Sequence, residues 1–283
     1  MSNTRNIKEI IRGKATVDGA GVSLVRVLGH RTTQAFDPFL MLDSFDSNNP
    51  ADYIAGFPMH PHRGIETITY LVSGDIEHED SLGNKGSILD GDCQWMTAGS
   101  GILHQEMPQR SPRMLGVQLW LNMPAELKMS PPQYGDINSR NIPVIYEDNV
   151  EIRIISGKYK GHKGAFEGKY VKATYLDIDI PANAQWEYTC APNTTLFVFT
   201  LLGEGKFGSL NSDTVPEKSA VLFDSGDLFH AQAGDRGLRL LLLEALPLRE
   251  PIAWGGPIVM NSQEELRQAF SDLETGKFIR HRL

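Results

Sequence analysis

Thr67-Ile-Thr-Tyr-Leu-Val-Ser-Gly74 and Leu196-Phe-Val-Phe-Thr-Leu-Leu-Gly203 are two versions of one pattern. Each is a run rich in β-branched and aromatic residues stopped by glycine, which reads as a strand. The likeness continues downstream, where Asp90-Gly-Asp92 follows the first run and Ser225-Gly-Asp227 follows the second. Further runs of this kind, bounded by turn residues, lie at Glu66 to Val72, Gln94 to Thr97, Leu115 to Leu121, Tyr175 to Ile180, Thr195 to Leu202, Ser219 to Phe223 and Leu238 to Leu243. This texture predicts an all-β chain of two tandem antiparallel barrels produced by duplication. Between them, Asn122 to Tyr134 carries three prolines among polar residues and suits a connector. The boundary is placed near Tyr134, giving domains 1–134 and 135–283. One helix is signalled near the C-terminus, where Ser262 and Glu265 have capping-box spacing ahead of Leu266, Ala269, Phe270 and Leu273, and Gly276 stops it. Its apolar stripe is expected to pack on a barrel.

Composition narrows the function classes. The 283 residues are 41% hydrophobic and 22% charged, as in a globular protein with a sizeable core. The net charge of −8 divides evenly, with 11 basic and 15 acidic residues in 1–134 and 16 and 20 in 135–283. Neither half has the basic surplus that counterion release from nucleic acid requires, so direct nucleic-acid binding is not expected. Met1 to Arg12 has no apolar core of a signal peptide, and no 18-residue apolar run occurs, so a cytoplasmic protein without membrane association is expected. Cys93 and Cys190 are far apart and read as two buried thiols.

Of eight histidines, three fall in two compact clusters, His60-Pro-His62 and His104-Gln-Glu106. In a strand, residues two apart share a face, so His60 and His62 aim their imidazoles one way while Pro61 faces the other. His104 and Glu106 repeat the arrangement. Two such strands side by side bring three neutral imidazoles and one carboxylate to a point, the outline of a metal site. Pro61 removes a ladder donor, which predicts an edge strand or bulge. Glu66 shares strand parity with His60 and His62 and competes with Glu106 as the carboxylate, but Gly64 lies between and can shift the register. His30, His78, His162, His230 and His281 lack a partner cluster and read as structural or surface residues.

Gly56-Phe-Pro-Met-His-Pro-His-Arg-Gly-Ile-Glu-Thr67 resembles the first metal motif of the pirin family, and Trp95-Met-Thr-Ala-Gly-Ser-Gly-Ile-Leu-His-Gln-Glu-Met-Pro108 resembles the second. Further likeness runs through Val117 to Pro124, Ile155 to Gly164 and Gly256-Pro-Ile-Val-Met-Asn261, so it covers nearly the whole chain. Pirins are cupins, and the resemblance implies two facing barrels with metal in the N-terminal one only, the carboxylate ligand being Glu106. The second half agrees, because Thr189 and Ala191 stand where His60 and His62 stand in the first. Glu66 is then expected to hydrogen-bond Arg63 or a ligand imidazole.

Three imidazoles and a carboxylate suit Fe(II), with Mn, Ni, Cu or Co as substitutes, and leave open positions for a substrate and dioxygen. The resemblance implies a quercetinase, which cleaves flavonols such as quercetin with O2 and releases CO, with Glu106 in the acid–base role. It equally implies a rival role, an iron-dependent, redox-sensing partner of transcription factors or metabolic enzymes. A metal-assisted cupin enzyme of sugar-isomerase type, with no dioxygen step, is a third reading. Family analogy points to a monomer.

Overall fold

The computed structural model describes residues 3–208 and 212–281; the outermost residues of the two expected domains lie outside this range. The architecture is all-β with a single α-helix among the described residues, and every strand-to-strand ladder is antiparallel. The chain forms two compact units. One holds the described residues of 1–13, 34–37 and 140–247, and the other those of 14–33, 38–139 and 248–283, so each unit takes chain from both sides of Tyr134. No helix among the described residues is long and apolar enough to cross a membrane.

The unit containing His60 has two main sheets and a short two-stranded one, Ala253–Gly255 paired with Ile258–Met260. A seven-stranded sheet runs in the order Gln133–Ile137, Cys93–Thr97, Ile65–Ser73, Met114–Asn122, Phe39–Ser47, Val22–Leu28 and Lys14–Asp18. A four-stranded sheet runs Phe57–His62, Ile102–Pro108, Ile76–Asp80 and Lys85–Ile88. Neither closes into a hydrogen-bonded ring, so the expected barrel is built as two open sheets. Apolar side chains such as Leu40, Met41, Ile65, Met96 and Trp120 fill one core cluster. Full burial of a side chain of this kind contributes about 1.5–3 kcal/mol.

The other unit has an eight-stranded sheet built around Thr195–Phe207 and the 18-residue strand Leu228–Ala245, much longer than the run Leu238 to Leu243, and a two-stranded sheet of Lys158–Tyr159 with His162–Lys163. Its interior is filled with rings. Tyr159, Trp186 and Tyr188 stack with centroids 5.9–6.2 Å apart, and Phe229 packs edge-on against Trp186 and Phe223. Thr189 and Ala191 are exposed.

The predicted helix is Gln263–Glu274, and its capping box is formed: the Glu265 amide donates to Ser262 Oγ and the Ser262 amide to Glu265 Oε2. Its buried face differs from the expected stripe. Leu266, Ala269 and Asp272 are buried, whereas Phe270 is exposed. A carboxylate occupies the inner face because a buried arginine meets it there, as described below.

Candidate metal centre

Phe57–His62 is an edge strand of the four-stranded sheet, and its Pro58 and Pro61 have no N–H to donate to a further neighbour. It pairs with Ile102–Pro108 so that His104 lies opposite His60 and Ile102 opposite His62. In Ile102–Pro108 the buried residues Ile102, His104, Glu106 and Pro108 alternate with more exposed ones, so His104 and Glu106 share the inner face. The register shifts between them, and Glu106 pairs with Phe57.

The strands bring His60, His62 and His104 together: each ring offers a nitrogen, and these atoms all lie within 4.8 Å of one another. His62 and His104 are buried and His60 is half-buried. Their protonation follows from their partners. His60 Nδ1 lies 2.9 Å from Pro58 O and His62 Nδ1 lies 3.1 Å from Pro257 O. A carbonyl only accepts, so each Nδ1 carries the hydrogen and each Nε2 presents a lone pair. Those two Nε2 atoms stand 3.0 Å apart. Burial, and then the neighbouring His60, push the pKa of His62 down to about 3. Burial followed by His62 and His60 holds His104 well below the ordinary histidine value. Neither nitrogen of His104 has a hydrogen-bond partner although both are buried. Converging lone pairs repel, and each orphaned buried nitrogen costs about 1–3 kcal/mol. A divalent cation among the three rings removes the repulsion and gives one His104 nitrogen a partner, and neutral imidazoles are the ligand form that needs no deprotonation. The residues fit a metal.

Neither candidate carboxylate belongs to this three-ring group. Glu106 is buried, and its Oε1 accepts from Thr69 Oγ1 and its Oε2 from Gln118 Nε2, both at 2.8 Å. Glu66 is fully buried on the seven-stranded sheet and accepts from Trp95 Nε1 at 3.0 Å and Thr97 Oγ1 at 2.8 Å. Its expected partners, Arg63 or a ligand imidazole, are therefore not the ones it has. Gly64 is the reason: its φ of 78° makes the corner by which the chain leaves one sheet and enters the other, so strand parity does not carry from His62 to Glu66. A Cβ on Gly64 would stand 2.0 Å from Val259 O.

Burial lifts the Glu66 carboxyl to about 7, against the hydrogen bonds from Thr97 and Trp95. A carboxyl raised in this way favours the fold below its unfolded pKa of about 4.5, and the advantage is lost as pH rises through about 7. Glu66→Gln can accept from Trp95 and donate to the Thr97 hydroxyl. The variant should therefore keep its metal and gain stability relative to wild type by on the order of 3 kcal/mol between pH 4.5 and 8. Parallel pH dependences of urea unfolding for the two proteins would refute the raised carboxyl.

A cavity of about 570 Å³ opens beside the rings, with His60, His62, Gln118 and Trp120 on its wall. Arg26, Asp43 and Asp18 also line it, Arg26 bonding Asp43 through two nitrogens at 2.9 and 2.6 Å. His30, expected at the surface, is exposed but stacks on Trp254 at 3.9 Å between centroids, and both rings line the cavity. His78 is buried and shares a 2.8 Å hydrogen bond with Tyr134 Oη; His162 and His281 are exposed and His230 half-buried. None of the four belongs to the ring group.

Sequence reading missed Gln118, Thr69, Pro257 and Asp272. Two had a signal, a polar Gln in the apolar run Leu115 to Leu121 and an acid three residues beyond Ala269 on the helix. Pro257 had none, because it acts through its backbone oxygen.

Residues 21–121 match the Pirin family model and residues 175–279 the Pirin C-terminal cupin domain. A pirin-like protein of Caulobacter vibrioides is 44% identical over 279 residues, covering 97% of this chain and 99% of its own. A Pseudomonas aeruginosa protein, provisionally named a quercetin 2,3-dioxygenase, is 39% identical over 283 residues, with 98% and 99% covered. The crystal structure of a quercetin 2,3-dioxygenase from Acinetobacter baumannii superimposes with a TM-score of 0.91 at 30% identity, covering 98% of this chain and 99% of that one. With two family models matched in order on a two-unit cupin architecture, the chain belongs to the pirin family.

Proposed function

We propose that the protein is a metal-dependent dioxygenase that cleaves flavonols such as quercetin with O2 and releases CO, with Fe(II) as the working metal. The observation that carries this reading is the set of three imidazoles whose nitrogens converge beside an aromatic-lined cavity that has His60 and His62 on its wall. The names of the Pseudomonas and Acinetobacter relatives support the same substrate class. His60, His62 and His104 would hold the metal, with Glu106 as the fourth donor. When bound, the metal supplies a Lewis-acid position for a substrate oxygen and a redox partner for dioxygen.

The chain's own residues do the rest. The carbonyls of Pro58 and Pro257 lock His60 and His62 in the tautomer that points Nε2 inward. Thr69 and Gln118 aim the Glu106 carboxylate, which takes the proton of the reacting hydroxyl at one of its oxygens. Trp120 and Trp254 offer flat apolar surface to a planar ligand and exclude water from its face. Iron-loaded protein given quercetin should consume O2 and release CO in equal amounts, while metal-free protein does neither. Absence of O2 uptake, or uptake without CO, would overturn the reading.

A further inference from the structure

Arg26, Asp43, Gln118 and Thr69 form one register row across four adjacent strands: Arg26 pairs with Asp43, Asp43 with Gln118 and Gln118 with Thr69. Cross-strand partners point to one face of a sheet, so the row is a polar band on the inner face. Gln118 stands at a junction within it. It lines the cavity, whereas Thr69 and Glu106, to which it is bonded, do not.

The orientation of the Gln118 amide is fixed by its partners. The Thr69 hydroxyl has one hydrogen, and it goes to Glu106 Oε1 at 2.8 Å, so Thr69 Oγ1 can only accept from Gln118, 3.3 Å away. Glu106 Oε2 faces Gln118 at 2.8 Å. Both contacts demand N–H donors, so the amide nitrogen turns toward Glu106 and Thr69, and the amide oxygen is left for the cavity. Nothing else on the inner row delivers an acceptor there without a charge, because Asp43 is engaged by Arg26.

We propose that Gln118 is a substrate-binding residue: its Oε1 accepts a hydroxyl hydrogen of the aromatic ligand while its Nε2 holds Glu106. This inference rests on the flavonol reading above and adds to it a requirement for a free hydroxyl at one ring position. A ligand hydroxyl on Oε1 polarises the amide and strengthens its N–H bond to Glu106, so binding and the orientation of the base are joined through one side chain.

The test is equilibrium binding, read by tryptophan fluorescence, of quercetin and its mono-O-methyl ethers to metal-loaded protein without oxygen. Wild type is compared with Gln118→Leu, and with Gln118→Met should the leucine variant fold poorly; metal content and melting are measured alongside. Quercetin should bind the variants about five- to tenfold more weakly, with metal still near one per chain. One methyl ether should lose a similar factor on wild type and nothing further on the variants, the coupling that a shared contact produces. If every ether loses the same factor on wild type and variant, Gln118 does not touch the ligand and the assignment falls. Wild type that binds no quercetin overturns the flavonol reading, and this inference with it.

Discussion

His104→Ala is expected to empty the metal centre while leaving the protein folded. Metal content should fall from one per chain to below a tenth, and quercetin-dependent O2 uptake by more than about 100-fold, the upper range seen when only a supporting partner of a metal ligand is removed. His104 is the informative position because neither of its buried nitrogens bonds to any protein atom. Deleting the ring opens a cavity, at a cost of about 2–5 kcal/mol for a large side chain. It also removes two unpaired polar atoms, a gain of about 1–3 kcal/mol each. These nearly offset, so metal-free wild type and metal-free variant should unfold cooperatively at similar urea concentrations. Elemental analysis and urea unfolding check both halves. Retention of metal would exclude His104 from the centre, and loss of cooperative unfolding would show that the ring serves the fold.

The strands, the capping box and the histidine clusters were legible in sequence because they depend on local periodicity. His60 with His62, and His104 with Glu106, are paired by a period of two within single strands, and Pro61 marks the edge on which the first pair lies. What was not legible depends on where the chain turns a corner or returns from a distance. Glu66 looked equivalent to His62 by parity until Gly64 moved it to another sheet with Trp95 and Thr97 as partners. Pro257 reaches His62 across 195 positions, through an oxygen every residue possesses. The helix Gln263–Glu274 was read as packing alone, yet its Asp272 meets Arg63, the neighbour of a candidate ligand. The aromatic fill of the other unit could be expected only in part: Thr189 and Ala191 in place of a histidine pair signalled that the ligand pattern is missing there, not what fills the interior.

Arg63→Met is expected to destabilise the protein by about 3–5 kcal/mol, the range for removing one partner of a buried ion pair. Arg63 is 1% exposed, and Nη1 lies 2.7 Å from Asp272 Oδ2, Nε 2.7 Å from Ser100 O and Nη2 3.0 Å from Phe278 O. Its guanidinium also stacks on the Phe278 ring at 4.2 Å. Burial raises the Asp272 carboxyl, but Arg63, Gln268 and Arg280 outweigh it and bring the pKa down to about 2. A carboxyl depressed in this way stabilises the fold above its unfolded value of about 3.8, and the contribution is lost as pH falls through 2. The double variant Arg63→Met, Asp272→Leu removes both charges and should recover most of the loss at pH 7, since apolar replacement of a buried pair is often neutral. Its stability should also vary less than that of wild type between pH 4 and 2. The metal separates support of the fold from support of the site. Arg63 follows His62 directly, and Lys128 ties the next carbonyl, Gly64 O, to Val259 O with bonds of 2.7 and 3.0 Å, so the end of the ligand strand is held by the C-terminal segment. In the double variant the fold is restored but one of these ties is cut. Metal affinity measured by chelator competition should then remain 10- to 100-fold below wild type, the range for lost support of a ligand. Full recovery of both stability and affinity would confine the pair to the fold and leave His62 positioned by Pro257 and Lys128 alone.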